Sequence, residues 1–169
     1  RSPSAGKATF GCCAPSNSLT AMSQSTAGYP AELVSAVIKA YDVRGLVDEQ
    51  LTPAFVTAVG RAFVEALGLR DSGAVVVGHD MRDSSPGFAR AFAEGVTSHG
   101  VDVTLIGLCS TDGLYFASGR LDLPGAMFTA SHNPAAYNGI KLCLAGAAPV
   151  GQDSGLSDIA DLLISGVPE

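Results

Sequence analysis

No run of Lys or Arg occurs anywhere in this 169-residue sequence, whose formal net charge is −6. Nucleic-acid binding starts from a basic stripe or patch, so that class of partner is excluded. The same lack removes the polybasic surface that would hold the chain to an anionic membrane. No apolar stretch approaches the roughly 18 residues a membrane span needs. Cysteine is scarce: Cys12, Cys13, Cys109 and Cys143 are all there is, and no pair has zinc-ligand spacing. They suggest no disulfide framework, which points to a reducing, cytoplasmic compartment with buried or idle thiols. Apolar residues make up 47% of the chain and charged residues 15%, a composition with a real core and a length for one domain.

Acidic residues are absent from residues 1–31, where Ser, Ala and Gly dominate and Arg1 and Lys7 are the only charges. The segment is poor in Arg and shows no amphipathic pattern, which argues against a transit peptide. The expectation is a disordered leader over residues 1–31, translated ahead of a start at Met22, followed by one domain over residues 32–169.

From Glu32 the chain alternates between helix and strand signals. A short, mostly apolar element over residues 31–40 leads into a polar loop, Tyr41-Asp42-Val43-Arg44-Gly45. Thr52 is a helix N-cap with Pro53 at the first turn. Phe55, Val56, Val59, Phe63, Ala66 and Leu67 form one apolar face, and Gly68 ends the helix. Ala74-Val75-Val76-Val77 reads as a buried parallel strand running into the polar loop at residues 78–85. Ser85 is expected to cap a second helix, with Pro86 at its start and Gly100 closing it, and residues 101–106 form the next strand. Ser110 and Thr111 cap a short helix through Leu114, Tyr115 and Phe116, with Gly119 as its stop and the two aromatics expected in the core. Residues 126–128 and 140–144 are further strands, with Asn138-Gly139 as a tight turn before the last. The loop between these two strands is too short for a crossover helix, so the last strand is expected antiparallel. A helix over residues 158–164 follows. The predicted fold is α/β, a mixed, mostly parallel sheet sandwiched between helices.

Ligands of open α/β sheets bind beyond the carboxyl ends of the parallel strands. The two most polar loops, residues 78–85 and 129–139, lie at such ends. The second holds Thr129-Ala130-Ser131-His132-Asn133-Pro134, where a serine beside a histidine suits nucleophilic or acid–base chemistry. A solvated connecting loop is the plain alternative. A serine hydrolase is not, because the nucleophile elbow needs Gly two residues before and after the serine, and here those positions hold Thr129 and Asn133. His79 and His99 sit in no ligand-like cluster and are read as structural or surface residues.

The segment Thr129-Ala130-Ser131-His132-Asn133-Pro134, with Tyr137-Asn138-Gly139 and Lys141 after it, resembles the active-serine loop of the α-D-phosphohexomutase superfamily. Ala40-Tyr41-Asp42-Val43-Arg44-Gly45 looks like that family's N-terminal active-site loop. Residues 78–85 look like its strand-ending loop, with His79 where Arg is commoner. The resemblance covers residues 37–163 and implies the family's first domain. It implies that Ser131 carries a phosphoryl group, and that Ser131, His132, Lys141 and Arg44 are catalytic. Tyr41, Arg44, Asn133, Asn138 and Lys141 would contact substrate, with the two asparagines shaping the loop through side-chain hydrogen bonds. The implied substrate is a mannose or glucose phosphate, whose phosphate moves between C1 and C6 through a hexose 1,6-bisphosphate. The implied cofactor is Mg2+, held by the phosphate on Ser131 and by an Asp-rich loop of a second domain. No Asp-rich loop of that kind is found here, and the sugar- and phosphate-binding loops of later domains are absent too. The expectation is a serine-bearing domain that needs the remaining mutase domains for turnover. A non-catalytic remnant or sugar-phosphate binding module on the same domain is the alternative.

Overall fold

The computed structural model describes residues 27–168. Helix α1 (Ala31–Val37) leads into strand β1 (Val43–Leu46) and helix α2 (Pro53–Ala66). Strand β2 (Ala74–His79), helix α3 (Ser85–Ser98), strand β3 (Asp102–Leu108), helix α4 (Thr111–Leu121) and strand β4 (Gly125–Phe128) follow in strict alternation. The chain then returns as strands β5 (Tyr137–Leu144) and β6 (Ala148–Pro149) and finishes in helix α5 (Leu156–Ser165).

The strands form one sheet in the order β1-β5-β4-β2-β3, with β6 also paired to β5. β2 is parallel to both β3 and β4, whereas β5 is antiparallel to β1, β4 and β6. β5 therefore runs against every other strand. The predicted mixed, mostly parallel sheet between helices is what the chain builds.

The larger core lies on the face covered by α1, α2, α3 and α5. Phe63 and Phe92 meet with ring centroids 5.7 Å apart, and Phe92 meets Phe128 edge-on at 5.7 Å. This chain of rings ties α2 to α3 and α3 to β4, and each such pair adds about 0.5–1.5 kcal/mol beyond burial. The strand feeding the serine loop is thus anchored to the larger core. α2 and α3 approach so closely that a Cβ on Gly95 would sit 2.1 Å from the carbonyl oxygen of Thr57, so any side chain there would force the helices apart. Val76, Leu114 and Met127 form a smaller core under α4 on the opposite face.

Local signals acted as expected at several ends. The Thr52 side chain accepts a hydrogen bond from the Phe55 N–H at 3.2 Å, and Ser110 accepts from the Gly113 N–H at 3.1 Å. Other expectations are corrected. Asn138 and Gly139 lie inside β5, opposite Gly45 and Arg44, because pairing with β1 overrides the local turn preference. For the same reason part of the polar loop at residues 41–45 is strand. α4 passes through Gly119 and ends at Leu121, where Asp122 takes the left-handed conformation (φ 54°). Phe116 is 74% exposed rather than core, while Tyr115 is half-buried against the smaller cluster. Ser85 is the first residue of α3, not its cap.

The leader expected over residues 1–31 falls mostly outside the described residues. Within them, Tyr29 packs edge-on against Phe55 at 4.9 Å and its N–H bonds to the Leu163 carbonyl, so packed structure begins before Glu32. Among the described residues no helix is long and apolar enough to cross a membrane. Cys143 is buried and Cys109 half-buried, and burial pushes both thiols up from their ordinary values. Cys12 and Cys13 lie outside the described residues. Buried His99 holds Glu65 across the α2–α3 joint, with Nδ1 2.6 Å from the Glu65 carboxylate, and Arg70 reaches both. His79 turns its Nδ1 to the Asp80 carbonyl at 2.9 Å.

Candidate active site

Ser131 stands where β4 ends, and it is exposed. Its φ of 54° is left-handed, a conformation that costs a non-glycine residue roughly 1–2 kcal/mol. Such strain persists only where the surroundings hold it. Both ends of the residue are held. Its N–H donates to Thr129 Oγ1 at 3.0 Å, and its carbonyl accepts from Arg82 Nη2 at 3.0 Å. Ser131 Oγ lies 3.3 Å from His132 Nδ1, so two sequence neighbours do meet here, because the left-handed turn swings one side chain toward the next.

The loop is closed onto the sheet by its backbone. Thr129 N–H bonds to the Gly139 carbonyl, Asn133 N–H to the Ala130 carbonyl and Tyr137 N–H to the Pro134 carbonyl, each at 3.0 Å. Gly139 leaves the space this requires. A Cβ there would fall 2.5 Å from the Val43 carbonyl oxygen and 3.0 Å from that of Thr129.

The 78–85 loop supports the serine loop from the β2 side. The Asp80 N–H donates to the Phe128 carbonyl at 2.9 Å, joining the ends of β2 and β4. The Asp80 carboxylate accepts from the Ser85 hydroxyl at 2.7 Å and from the Arg82 N–H at 3.0 Å. Burial alone would raise its pKa. Hydrogen bonds from Ser85, Arg82 and Thr129, with the Arg82 charge, outweigh that and hold it below its ordinary value. Asn138 is fully buried. Its amide donates to the Ser84 and Ser85 hydroxyls at 2.8 and 2.9 Å, and its Oδ1 accepts from the Gly139 N–H at 2.8 Å. These bonds make it a shaping residue of the loop, with no exposed side-chain surface in this domain. Asn133 is half-buried, and its carbonyl accepts from Arg82 Nη2 at 2.7 Å.

Arg44 and Lys141 occupy neighbouring strands on the α4 face of the sheet. Arg44 lies opposite Gly139, and Lys141 lies opposite Met127 of the smaller core. Both reach one carboxylate, Asp42 Oδ2, at 2.5 Å from Arg44 Nη2 and 3.5 Å from Lys141 Nζ. Arg44 Nε is buried without a hydrogen-bond partner. Two cations sharing one carboxylate leave local positive charge unneutralised in a chain whose net charge is negative. Tyr115 of α4 lies near enough for the Asp42 charge to add to the burial that raises its phenol. Tyr41 is 77% exposed at the opposite end of β1 from the serine loop, where its ring packs on Gly151, and the structure does not bring it to Ser131.

Sequence reasoning missed Asp80, Arg82 and Thr129 as parts of this site. The polar loop at a strand end was the available signal, but which of its residues turn toward residues 131–137 depends on contacts some fifty residues away in sequence. A hard dication needs several oxygen ligands. Among the described residues no group of three or more His, Cys, Asp or Glu could hold one. The described residues by themselves do not make a Mg2+ site.

The sequence profile of the family described as phosphoglucomutase/phosphomannomutase, alpha/beta/alpha domain I, matches residues 35–164. A phosphomannomutase of Salmonella typhimurium is 42% identical over 129 residues, which cover 76% of this chain and 28% of that protein. A phosphomannomutase of Klebsiella pneumoniae is 43% identical over 125 residues, covering 73% of this chain and 78% of that sequence. A solved phosphoglucomutase/phosphomannomutase family protein from Burkholderia thailandensis superposes with a TM-score of 0.68 at 32% identity, covering 76% of this chain and 30% of that one. Against the Salmonella protein and the Burkholderia structure, the chain spans less than a third of the relative's length. With the serine loop at the end of β4, the sheet order and these matches together, the chain belongs to the phosphoglucomutase/phosphomannomutase family and carries its α/β/α domain I.

Proposed function

We propose that this domain supplies the phosphorylated serine of a hexose-phosphate mutase of the phosphomannomutase/phosphoglucomutase type. A hexose 1,6-bisphosphate loads Ser131 at the start. The P–O bond to the sugar breaks as the bond to Oγ forms; the serine proton passes to His132, and the departing sugar oxygen takes a proton from Lys141 and leaves as a hydroxyl. In turnover the transfer reverses onto the free hydroxyl of a mannose or glucose phosphate. That hydroxyl's proton passes to Lys141 as its oxygen bonds to phosphorus, and His132 returns a proton to Oγ as the P–O bond to serine breaks. The bisphosphate turns over in the site and its other phosphoryl group returns to Ser131, leaving the phosphate moved between C1 and C6.

Phosphoryl transfer asks the protein mainly for positioning and charge neutralisation. Arg44 and Lys141, with side chains 27% and 28% exposed, are the cations this reading offers to an anion. The reading rests above all on the exposed Ser131 hydroxyl, held in a left-handed turn 3.3 Å from a histidine nitrogen. Mg2+ would neutralise phosphate charge, with its remaining ligands drawn from other domains of the complete enzyme. Binding of the sugar likewise draws on those domains, so this domain alone is expected to show no turnover. The test is mutase assay of the complete enzyme with a hexose 1-phosphate and catalytic bisphosphate. Ser131→Ala should abolish turnover while leaving the unfolding temperature near that of the parent. Retained turnover would refute the proposal.

A further inference from the structure

Arg82 lies on the 78–85 loop, with its side chain only 13% exposed. Nη1 donates to the carbonyls of Pro134 and Tyr137, each at 3.0 Å. Nη2 donates to those of Ser131 at 3.0 Å and Asn133 at 2.7 Å. Nε lies 3.3 Å from Asp80 Oδ2. A guanidinium has five N–H groups; four here donate to loop carbonyls, and the Nε group lies within ion-pair range of the Asp80 carboxylate. Four carbonyls of one seven-residue stretch therefore converge on one planar cation.

This arrangement is not that of an anion receptor. The charge of Arg82 is matched by Asp80, and no N–H is left for a phosphate. It does act on the nucleophile. The Ser131 carbonyl is held by Arg82, while the Ser131 N–H is held by Thr129, a residue that also helps to keep the Asp80 carboxyl below its ordinary value. The peptide groups on both sides of the left-handed Cα are thus held, and only the Cα–Cβ torsion remains to aim the hydroxyl. A lysine could not replace Arg82, because an ammonium is a point donor with three N–H groups and cannot span four carbonyls in a plane.

We propose that Arg82 is the positioning residue that sets the direction from which Ser131 presents Oγ, so that transfer rate rather than sugar-phosphate binding depends on a guanidinium at position 82. The proposal rests on the mutase reading above. In the complete enzyme, Arg82→Lys should stay folded, with amide exchange accelerated across residues 131–137 and unchanged in α2 and α3. Phosphate uptake onto Ser131 and kcat should fall ~100-fold, the scale of an ångström-sized misplacement, with KM nearly unaltered. Added guanidinium ion should restore part of the rate to Arg82→Ala and none to Ser131→Ala. Wild-type-like kcat in Arg82→Lys, a loss carried by KM, or no restoration by guanidinium overturns the inference. If wild-type Ser131 takes up no phosphate, the mutase reading falls by itself. Amide exchange in Arg82→Lys then still decides on Arg82, and unchanged exchange across residues 131–137 overturns its role.

Discussion

Arg82 and Arg44 use their guanidinium groups in opposite ways. Arg82 donates four N–H groups to carbonyls of the serine loop and keeps its Nε in ion-pair range of Asp80. Arg44 meets Asp42, shares that carboxylate with Lys141, and keeps a buried Nε with no partner. Burial does not distinguish them strongly, since their side chains are 13% and 27% exposed. Satisfaction does. The Arg82 donors are committed to the loop, whereas Arg44 pairs outside the loop, with a carboxylate it shares with Lys141. Motif matching covered both residues but named only Arg44 as a site residue, because a motif records residue types and not which donors are engaged.

The contrast breaks most visibly through activity. Arg44→Ala or Lys141→Ala in the complete enzyme should lower kcat/KM for a hexose phosphate by about 10²–10³-fold, the cost of removing one well-placed charge-stabilising donor. The unfolding temperature should barely move, because a partly exposed pair contributes at most about 1 kcal/mol. A large fall in melting temperature with near-normal kcat/KM would show that Arg44 braces the fold as Arg82 does.

Exchanging the carboxylate partners sharpens the comparison with a smaller effect. Asp42→Asn removes the anion that competes with a phosphate for Arg44 and Lys141. Inorganic phosphate should then bind a few-fold tighter by calorimetry, on the order of 1 kcal/mol. Asp80→Asn should instead loosen residues 129–137 without strengthening phosphate binding. The pH dependence follows from Asp80. Its carboxyl is held below the ordinary 3.8, so its contribution is complete above that value and is lost as pH falls further through the folded value. Amide exchange in the serine loop should accelerate in that acid range, and Asp80→Asn should remove its share of the dependence. Glu65, lowered by His99 and Arg70 against the opposing effect of burial, should do the same for the α2–α3 joint below 4.5.

Much of this architecture was legible before any coordinates. The alternation of Val75-Val76-Val77 with amphipathic helices marked the parallel part of the sheet, and Thr52-Pro53 marked the start of α2 to the residue. The short connection after Phe128 foretold an antiparallel β5. The errors share one cause, which is that local preference yields to distant pairing. Asn138-Gly139 is good turn sequence, yet β1 lies alongside and draws both residues into the sheet. Gly119 is a weak helix former, but a glycine in a helix interior costs only about 1 kcal/mol, and Asp122 closes α4 three residues later. In the site, the serine and its histidine could be read from adjacency. The hold of Arg82 on residues 131–137 spans about fifty positions and has no local signature.

Location of the phosphoryl group tests the central claim most directly. The complete enzyme is incubated with hexose 1,6-bisphosphate, its intact mass is measured, and the modified peptide is sequenced. The account predicts one phosphoryl group, on Ser131, discharged when a hexose monophosphate is added. A protein that gains no phosphate, or gains it on another residue with Ser131 unmodified, would contradict it.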